Sequence, residues 1–350
     1  MHTFELDQKT IGKKQRTFII AEIGLAHDGS LGMAHSYIDA VANTGADAIK
    51  FQTHIAQDES TSDEQFRINF SYEDTTRYDY WARTGFTYEQ WQGLFEHARE
   101  KKLIFLSTPF SIKAINWLER IGVSGWKVGS GDLNNAELRE TLAATGKPII
   151  FSTGMASWDE IREVLAFCSE RSVDMALLQC TSKYPAPLED VGLNIIDIIQ
   201  NEFGVVSGLS DHSGSVFPCL AAMARGAAIV EFHVVFDKQM FGPDSKASLT
   251  LEELSFVTEA RDAFHCMQRD VDKDATAQDM AGMRKLFGRS LALKNDLPLG
   301  TVITNDDICL KKPGTGIPYK DMANIIGKPL IRDVPASRLL LIEDIEKDCE

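Results

Sequence analysis

Cysteine is sparse in this 350-residue chain and never paired along it; the six residues stand alone at 168, 180, 219, 266, 309 and 349. Without a CxxC pair there is no signature of a zinc ribbon or a disulfide framework, which points to a reducing cytoplasm. No apolar run approaches the ~20 residues that a membrane-spanning helix requires, so no membrane partner is expected. The opening MHTFELDQKTIGKKQR lacks the apolar stretch of a secretory signal, and secretion is not expected either. Basic charge is also short, with 36 Lys and Arg against 51 Asp and Glu and a net charge of −15. That balance disfavours nucleic acid as a partner. An anionic substrate would need a local basic site that works against the global field. Neither GxxxxGK[ST] nor GxGxxG follows a strand candidate, so a glycine loop for nucleotide phosphates is unsupported.

What the chain does contain is repetition. Eight short apolar strand candidates end in polar or charged residues. They are RTFIIAE (to Glu22), DAIKFQT (Lys50, Gln52), LIFLSTP (Thr108), GWKVGS (Lys127, Ser130), PIIFSTG (Ser152), ALLQCTS (Thr181, Ser182), VVSGLSDH (Ser210, His212) and AIVEFHV (Glu231, His233). Segments with helical apolar spacing lie between them; Leu31, Ala34, Ile38, Val41 and Ala42 form one such stripe. Gly45 and Gly146 follow helix candidates as stops. Eight β-α units in series predict an α/β fold, a (β/α)8 TIM barrel with its chemistry at the carboxyl ends of the strands.

The predicted barrel domain spans 1–269, with residues 1–15 as a lead-in that could plug its bottom. A polar linker follows at 270–286. From 287 to 350 the pattern changes to short strands and turns, which predicts a small, mainly β domain of ~60 residues, marginal in stability unless docked. Residues 54–86, acidic and aromatic, interrupt the second unit; a connection of that length reads as an active-site lid.

Histidines 212 and 233 fall at the tips of neighbouring strands, about 4.8 Å apart in a parallel sheet, where two imidazoles could share one divalent ion. Glu22 closes the ring beside them, as a further ligand, a base or a substrate hydrogen-bonding group. Lys50 and Lys127 sit where solvated lysines do not belong. They are either buried ion-pair partners of a barrel carboxylate or two ammonium groups for a phosphorylated or carboxylated ligand. Thr108, Ser130, Ser152, Ser182 and Ser210 would add hydroxyl donors around it. A Schiff-base role for Lys127 is a third option. GPDSKASL places Asp244 above the mouth.

Taken in order, FIIAEIGLAHDGS, GADAIKFQTH, STPF, KVGSGDLNN, STGM, CTSKYPAP, GLSDHS and EFHV…GPD closely resemble the sialic acid synthase family. The terminal RSLAL…KKPGTGIP resembles that family's appended antifreeze-like (SAF) domain. The resemblance covers essentially the whole chain. It implies condensation of phosphoenolpyruvate with an N-acetylated hexosamine, N-acetylmannosamine or a relative, to a nine-carbon nonulosonic acid. It further implies a domain-swapped homodimer and a divalent metal, manganese foremost with magnesium or cobalt as alternatives. Carried over by motif, His212 and His233 are metal ligands, and Lys50, Thr108, Lys127, Ser130, Ser152, Ser182 and Ser210 line the phosphoenolpyruvate site. Glu22, Gln52, Asp132, Tyr184 and Asp244 face the sugar or the reacting centre, with Glu22 or Asp132 transferring the proton.

The chain departs from the family pattern at four positions. Lys312 stands for an arginine that reaches from the partner subunit toward the sugar's acyl group, Asp132 for a glutamate, Ser182 for an asparagine, and Phe232 for a basic residue before His233. The alternatives are a lysine-dependent aldolase on the same barrel and a non-catalytic carbohydrate- or ice-binding protein.

Overall fold

A computed structural model describes residues 3–66 and 68–346. Cys349 lies outside the described residues; the other five cysteines are free thiols. The chain divides into two units, Met1–Gln268 and Arg269–Glu350.

Eight parallel strands build the first unit: β1 (Phe18–Gly24), β2 (Ala48–Thr53), β3 (Ile104–Pro109), β4 (Trp126–Val128), β5 (Ile149–Ser152), β6 (Met175–Cys180), β7 (Val206–Asp211) and β8 (Ile229–Val235). They pair in the order β3-β2-β1-β8-β7-β6-β5-β4. The sheet is thus a nearly closed barrel of the predicted TIM type. Helices follow the strands, and several start at the caps the sequence supplies. Ser157 and Glu160 form a reciprocal capping box on Trp158–Glu170, and Thr250 and Glu253 do the same on Leu251–Met267. The helix after β6 is α-helical at Leu193–Ile198 and π-helical at Ile199–Phe203.

Alternation along each strand decides what faces inward. Ile19, Ala21, Ile49, Phe51, Phe105 and Phe151 point out and pack under the helices. Phe18, Ile20, Ala48, Leu106, Ile150 and Leu178 fill the lower interior. An antiparallel hairpin, Thr3–Leu6 paired with Lys9–Gly12, adds Phe4, Leu6 and Ile11 to that inner cluster. The lead-in therefore plugs the barrel as a hairpin. With the interior apolar below, the inward positions one turn of the alternation higher carry the charged and polar residues.

The 54–86 insertion contains helices Ala56–Glu59 and Arg77–Thr84. Arg83 forks onto Asp74 through two hydrogen bonds of 2.9 Å, and Phe70 packs 5.7 Å from Phe241 in the loop after β8.

The second unit begins with two short helices, Lys273–Asp279 and Ala281–Phe287. An antiparallel pair, Ser290–Leu293 with Ile308–Lys311, then leads a small core of Leu291, Leu293, Ile303, Leu330, Val334 and Leu340.

Candidate active site

The upper interior of the barrel holds four charges in alternation. Lys50 on β2 lies 2.7 Å from Glu22 on β1 and 3.8 Å from Glu231 on β8; Lys127 on β4 lies 3.5 Å from the same Glu231. All four are at most 5% exposed. Lys50 donates to the Thr108 hydroxyl at 3.2 Å, Lys127 to the Ser152 hydroxyl at 2.7 Å, and Ser210 to Glu231 at 3.3 Å. The lysines are therefore buried ion-pair partners of barrel carboxylates, with the Thr108 and Ser152 hydroxyls beside them.

The two ammonium groups differ. Burial opposes the Lys50 charge, but Glu22 and Glu231 outweigh it and hold its pKa above the usual lysine value. For Lys127 burial prevails; Glu231 opposes it, Lys50 repels, and the pKa falls below the usual value. Burial also works against the Glu231 charge, yet the two lysines pull its pKa down overall.

A hydroxyl-rich cradle adjoins Lys127. Gly154, after β5, donates its backbone N–H to Ser130 at 3.0 Å. A methyl group on Gly154 would sit 2.6 Å from the Ser182 hydroxyl and 3.0 Å from both Ser130 Oγ and Cys180 Sγ. Only glycine permits this approach. Burial raises the Cys180 pKa, so the thiol stays neutral.

Next to the cradle, with Cys180 Sγ 3.7 Å from His212 Nδ1, the rings of His212 and His233 lie 5.4 Å apart. His212 Nδ1 faces the carbonyl of Thr181 at 3.2 Å and must carry the proton, since a carbonyl only accepts. Its Nε2 therefore has the free lone pair, and the Tyr184 hydroxyl donates to it at 3.0 Å. Burial, then repulsion from His233, lowers the His212 pKa to about 3. A neutral imidazole held in one tautomer by a backbone acceptor suits a metal ligand. Asp244 Oδ2 lies 3.8 Å from His233 Nδ1. Among the described residues no group of three or more His, Cys, Asp and Glu could hold a metal. The donors present thus fit an ion that takes two imidazoles from the chain and its remaining partners from water or substrate. Gly24, at φ +55°, lets the backbone pass; a Cβ there would be 3.3 Å from the His233 ring.

Gln52 donates to Glu22 at 3.0 Å. Asp132 stands in the turn Ser130–Asp132 after β4, where burial raises its pKa and Glu59 adds to the effect. Phe232 points away from these groups into the outer core, 1% exposed, where a basic residue would find no water. Lys312 belongs to the second unit, with its ammonium 5.2 Å from the Phe287 ring centre.

Glu231 has no motif of its own; its one signal in the sequence is that, two residues before His233, it shares that face of β8. His54, Glu59 and Phe110 have none, because their connection exists only in three dimensions.

The family model described as NeuB family matches residues 37–272, more than half of the chain. This chain belongs to the NeuB family. A SAF domain matches residues 288–346. Over 347 residues the NeuB-family chain is 33% identical to the N,N'-diacetyllegionaminic acid synthase of Legionella pneumophila, covering 97% of each. It is 31% identical to the N-acetylneuraminate-9-phosphate synthase of Homo sapiens, covering 96% of this chain and 94% of that one. A crystal structure of N-acetylneuraminic acid (sialic acid) synthetase from Leptospira borgpetersenii superposes with a TM-score of 0.72 at 29% identity, over 81% of this chain and 96% of that one. No helix among the described residues is long and apolar enough to cross a membrane.

Proposed function

We propose that this NeuB-family chain condenses phosphoenolpyruvate with an N-acetylated, mannosamine-type amino sugar to a nonulosonic acid, releasing phosphate by C–O cleavage. The observation that carries the reading is the pair of buried ammonium groups, Lys50 and Lys127, bridged by Glu231 beside the Gly154 hydroxyl cradle. Phosphoenolpyruvate brings a phosphate and a carboxylate, and two ammonium groups with Thr108, Ser130, Ser152, Ser182 and Ser210 match those acceptors. Preorganised donors of this kind also stabilise charge that moves during reaction.

Carbon 3 of phosphoenolpyruvate attacks the open-chain aldehyde of the sugar, leaving cationic character at carbon 2. Water adds there, and the tetrahedral product expels phosphate. Glu22, ion-paired with Lys50 and bonded to Gln52, is assigned to proton transfer, with Asp132 as the alternative. His212 and His233 would hold a divalent ion, manganese foremost, which when bound supplies Lewis-acid polarisation of the aldehyde. Tyr184 and Asp244, beside those imidazoles, are assigned to the acceptor sugar, as is Lys312 supplied by the second copy of the implied homodimer. The homodimer implied by the resemblance and a cytoplasmic location belong to the same proposal; five free thiols support the latter.

The test is a panel of amino sugars, namely N-acetylmannosamine, its 6-phosphate and diacetamido-trideoxyhexoses, each with phosphoenolpyruvate and Mn²⁺ and scored by released phosphate. Bridging-¹⁸O phosphoenolpyruvate should deliver its label to phosphate. Release from no sugar would sink the proposal, and full activity after exhaustive chelation would remove the metal from it. The lowered pKa of Lys127 favours one second reading, a Schiff-base aldolase. Borohydride trapping of a substrate adduct on Lys127 would establish that instead.

A further inference from the structure

His54, two residues past Gln52, lies flat between two aromatic rings. Trp81 of the insertion stacks on it at 4.8 Å and 11° between planes, and Phe110 after β3 at 4.2 Å and 7°. Its Nδ1 is 2.8 Å from Glu59 Oε1, and its Nε2 is 3.2 Å from Gln52 Oε1. Gln52 in turn donates to Glu22 at 3.0 Å. The four groups form one chain from the insertion to the ammonium of Lys50.

Counting donors along that chain gives a definite result. Glu22, paired with Lys50, accepts, so Gln52 must turn its amide N–H₂ toward it. The Gln52 carbonyl oxygen is then left facing His54 Nε2, which must donate. Glu59 holds the other ring nitrogen, Nδ1, at 2.8 Å, and the second oxygen of Glu59 is buried with no hydrogen-bond partner, so the ring is what that carboxyl group is placed to hold.

Trp81 and Phe110 fix the plane of the ring and so keep its two nitrogens in line with Glu59 and Gln52. The Arg77 guanidinium lies over Trp81 in turn, 4.5 Å from the ring centre.

We propose that His54 is a positioning residue for this site: held by Glu59 between Trp81 and Phe110, it gives its Nε2 hydrogen to the Gln52 carbonyl oxygen and thereby fixes which end of the Gln52 amide meets Glu22. Without that donor the amide is free to turn over and present its oxygen to the Glu22 carboxylate, which is then repelled from its place beside Lys50. The inference rests on the proposed reaction for its kinetic consequence and on the hydrogen-bond chain alone for the donor.

The two parts are tested separately on the full chain. With ¹⁵N-labelled histidine, NMR should show His54 Nε2 carrying a hydrogen, assigned by the signal missing in His54→Gln. A bare Nε2 in the unmodified protein overturns the proposal whatever the enzyme's activity. In the phosphate-release assay His54→Phe, which keeps the stacking and loses the donor, should lose about a hundredfold in kcat, with KM for phosphoenolpyruvate within about twofold. His54→Gln, whose amide still offers a donor, should lose less. Unchanged kcat in His54→Phe would also overturn it. Absence of turnover in the unmodified chain would instead sink the reaction, and the NMR result would still decide the donor.

Discussion

Glu231 lies 3.5 Å from the ammonium of Lys127 and is the carboxylate that Lys127 shares with Lys50. Removing its charge leaves two buried ammonium groups with one carboxylate, Glu22, which is paired to Lys50. Glu231→Gln should therefore destabilise the chain by roughly 3 kcal/mol. An anion should restore part of that loss. Thermal unfolding with and without phosphoenolpyruvate measures both effects, and the ligand-induced rise in Tm should be larger in the variant. An equal rise in both proteins would show that Glu231 does not balance the anion site.

Lys127 is the ammonium whose pKa burial depresses. An arriving phosphate or carboxylate raises that pKa, because it stabilises the charged form. Binding should therefore take up protons, increasingly so as pH rises toward the range in which Lys127 titrates. Calorimetric titration of phosphoenolpyruvate in buffers of different ionisation enthalpy reads this directly. Proton release, or none exchanged at any alkaline pH, would contradict it. Lys127→Met should abolish the uptake.

Gly154→Ala puts a methyl group 2.6 Å from the Ser182 hydroxyl. Overpacking of this kind costs about 1–3 kcal/mol, and here the neighbours that must move are the proposed anion donors. KM for phosphoenolpyruvate should rise about tenfold or more, while KM for the sugar changes little. Equal effects on both substrates would show that the cradle is not specific to phosphoenolpyruvate.

Stability should fall with acid earlier than surface carboxylates would make it. His27 and His212 have folded pKa values near 3, against an ordinary value of 6.5. Below pH 6.5 the unfolded chain thus gains two protons that the native state refuses. Asp211 works in the opposite direction: burial raises it to about 6, so the native state keeps a proton the unfolded chain gives up. The net difference is one proton, and metal-free protein should lose about 1.4 kcal/mol per pH unit between about pH 6 and 5. Denaturant unfolding across that range measures the slope, and His27→Gln should flatten it. A slope that persists undiminished in the variant would show that His27 is not the group responsible.

Much of the site could be read from the chain because strands report themselves. Polar or charged residues lie at or near the ends of the eight apolar runs, and a parallel barrel gathers those ends at one rim. Lys50, Lys127, His212 and His233 were placed there on that ground alone. Glu231 was missed because a carboxylate in a strand has no signature until its counter-charges are known. Gly154 looked like any turn glycine. Its purpose depends on Ser130 and Ser182, which reach it from β4 and β6. The Ser182 and Asp132 substitutions keep polar groups in the same places, whereas Phe232 is explained by its outward position on β8.

Order along the polypeptide determined the fold, since alternation at period two and at helical spacing leaves few ways to bury eight apolar strands. It also determined which residue types arrive at the barrel's upper end. Tertiary structure alone decided how those groups act on one another. Whether an ammonium gains or loses its proton more readily, and which way an amide turns, depends on charges a few ångströms away in space. Those neighbours come from strands and loops tens to hundreds of residues distant, and Coulomb interaction and hydrogen bonding act over space, not along the chain.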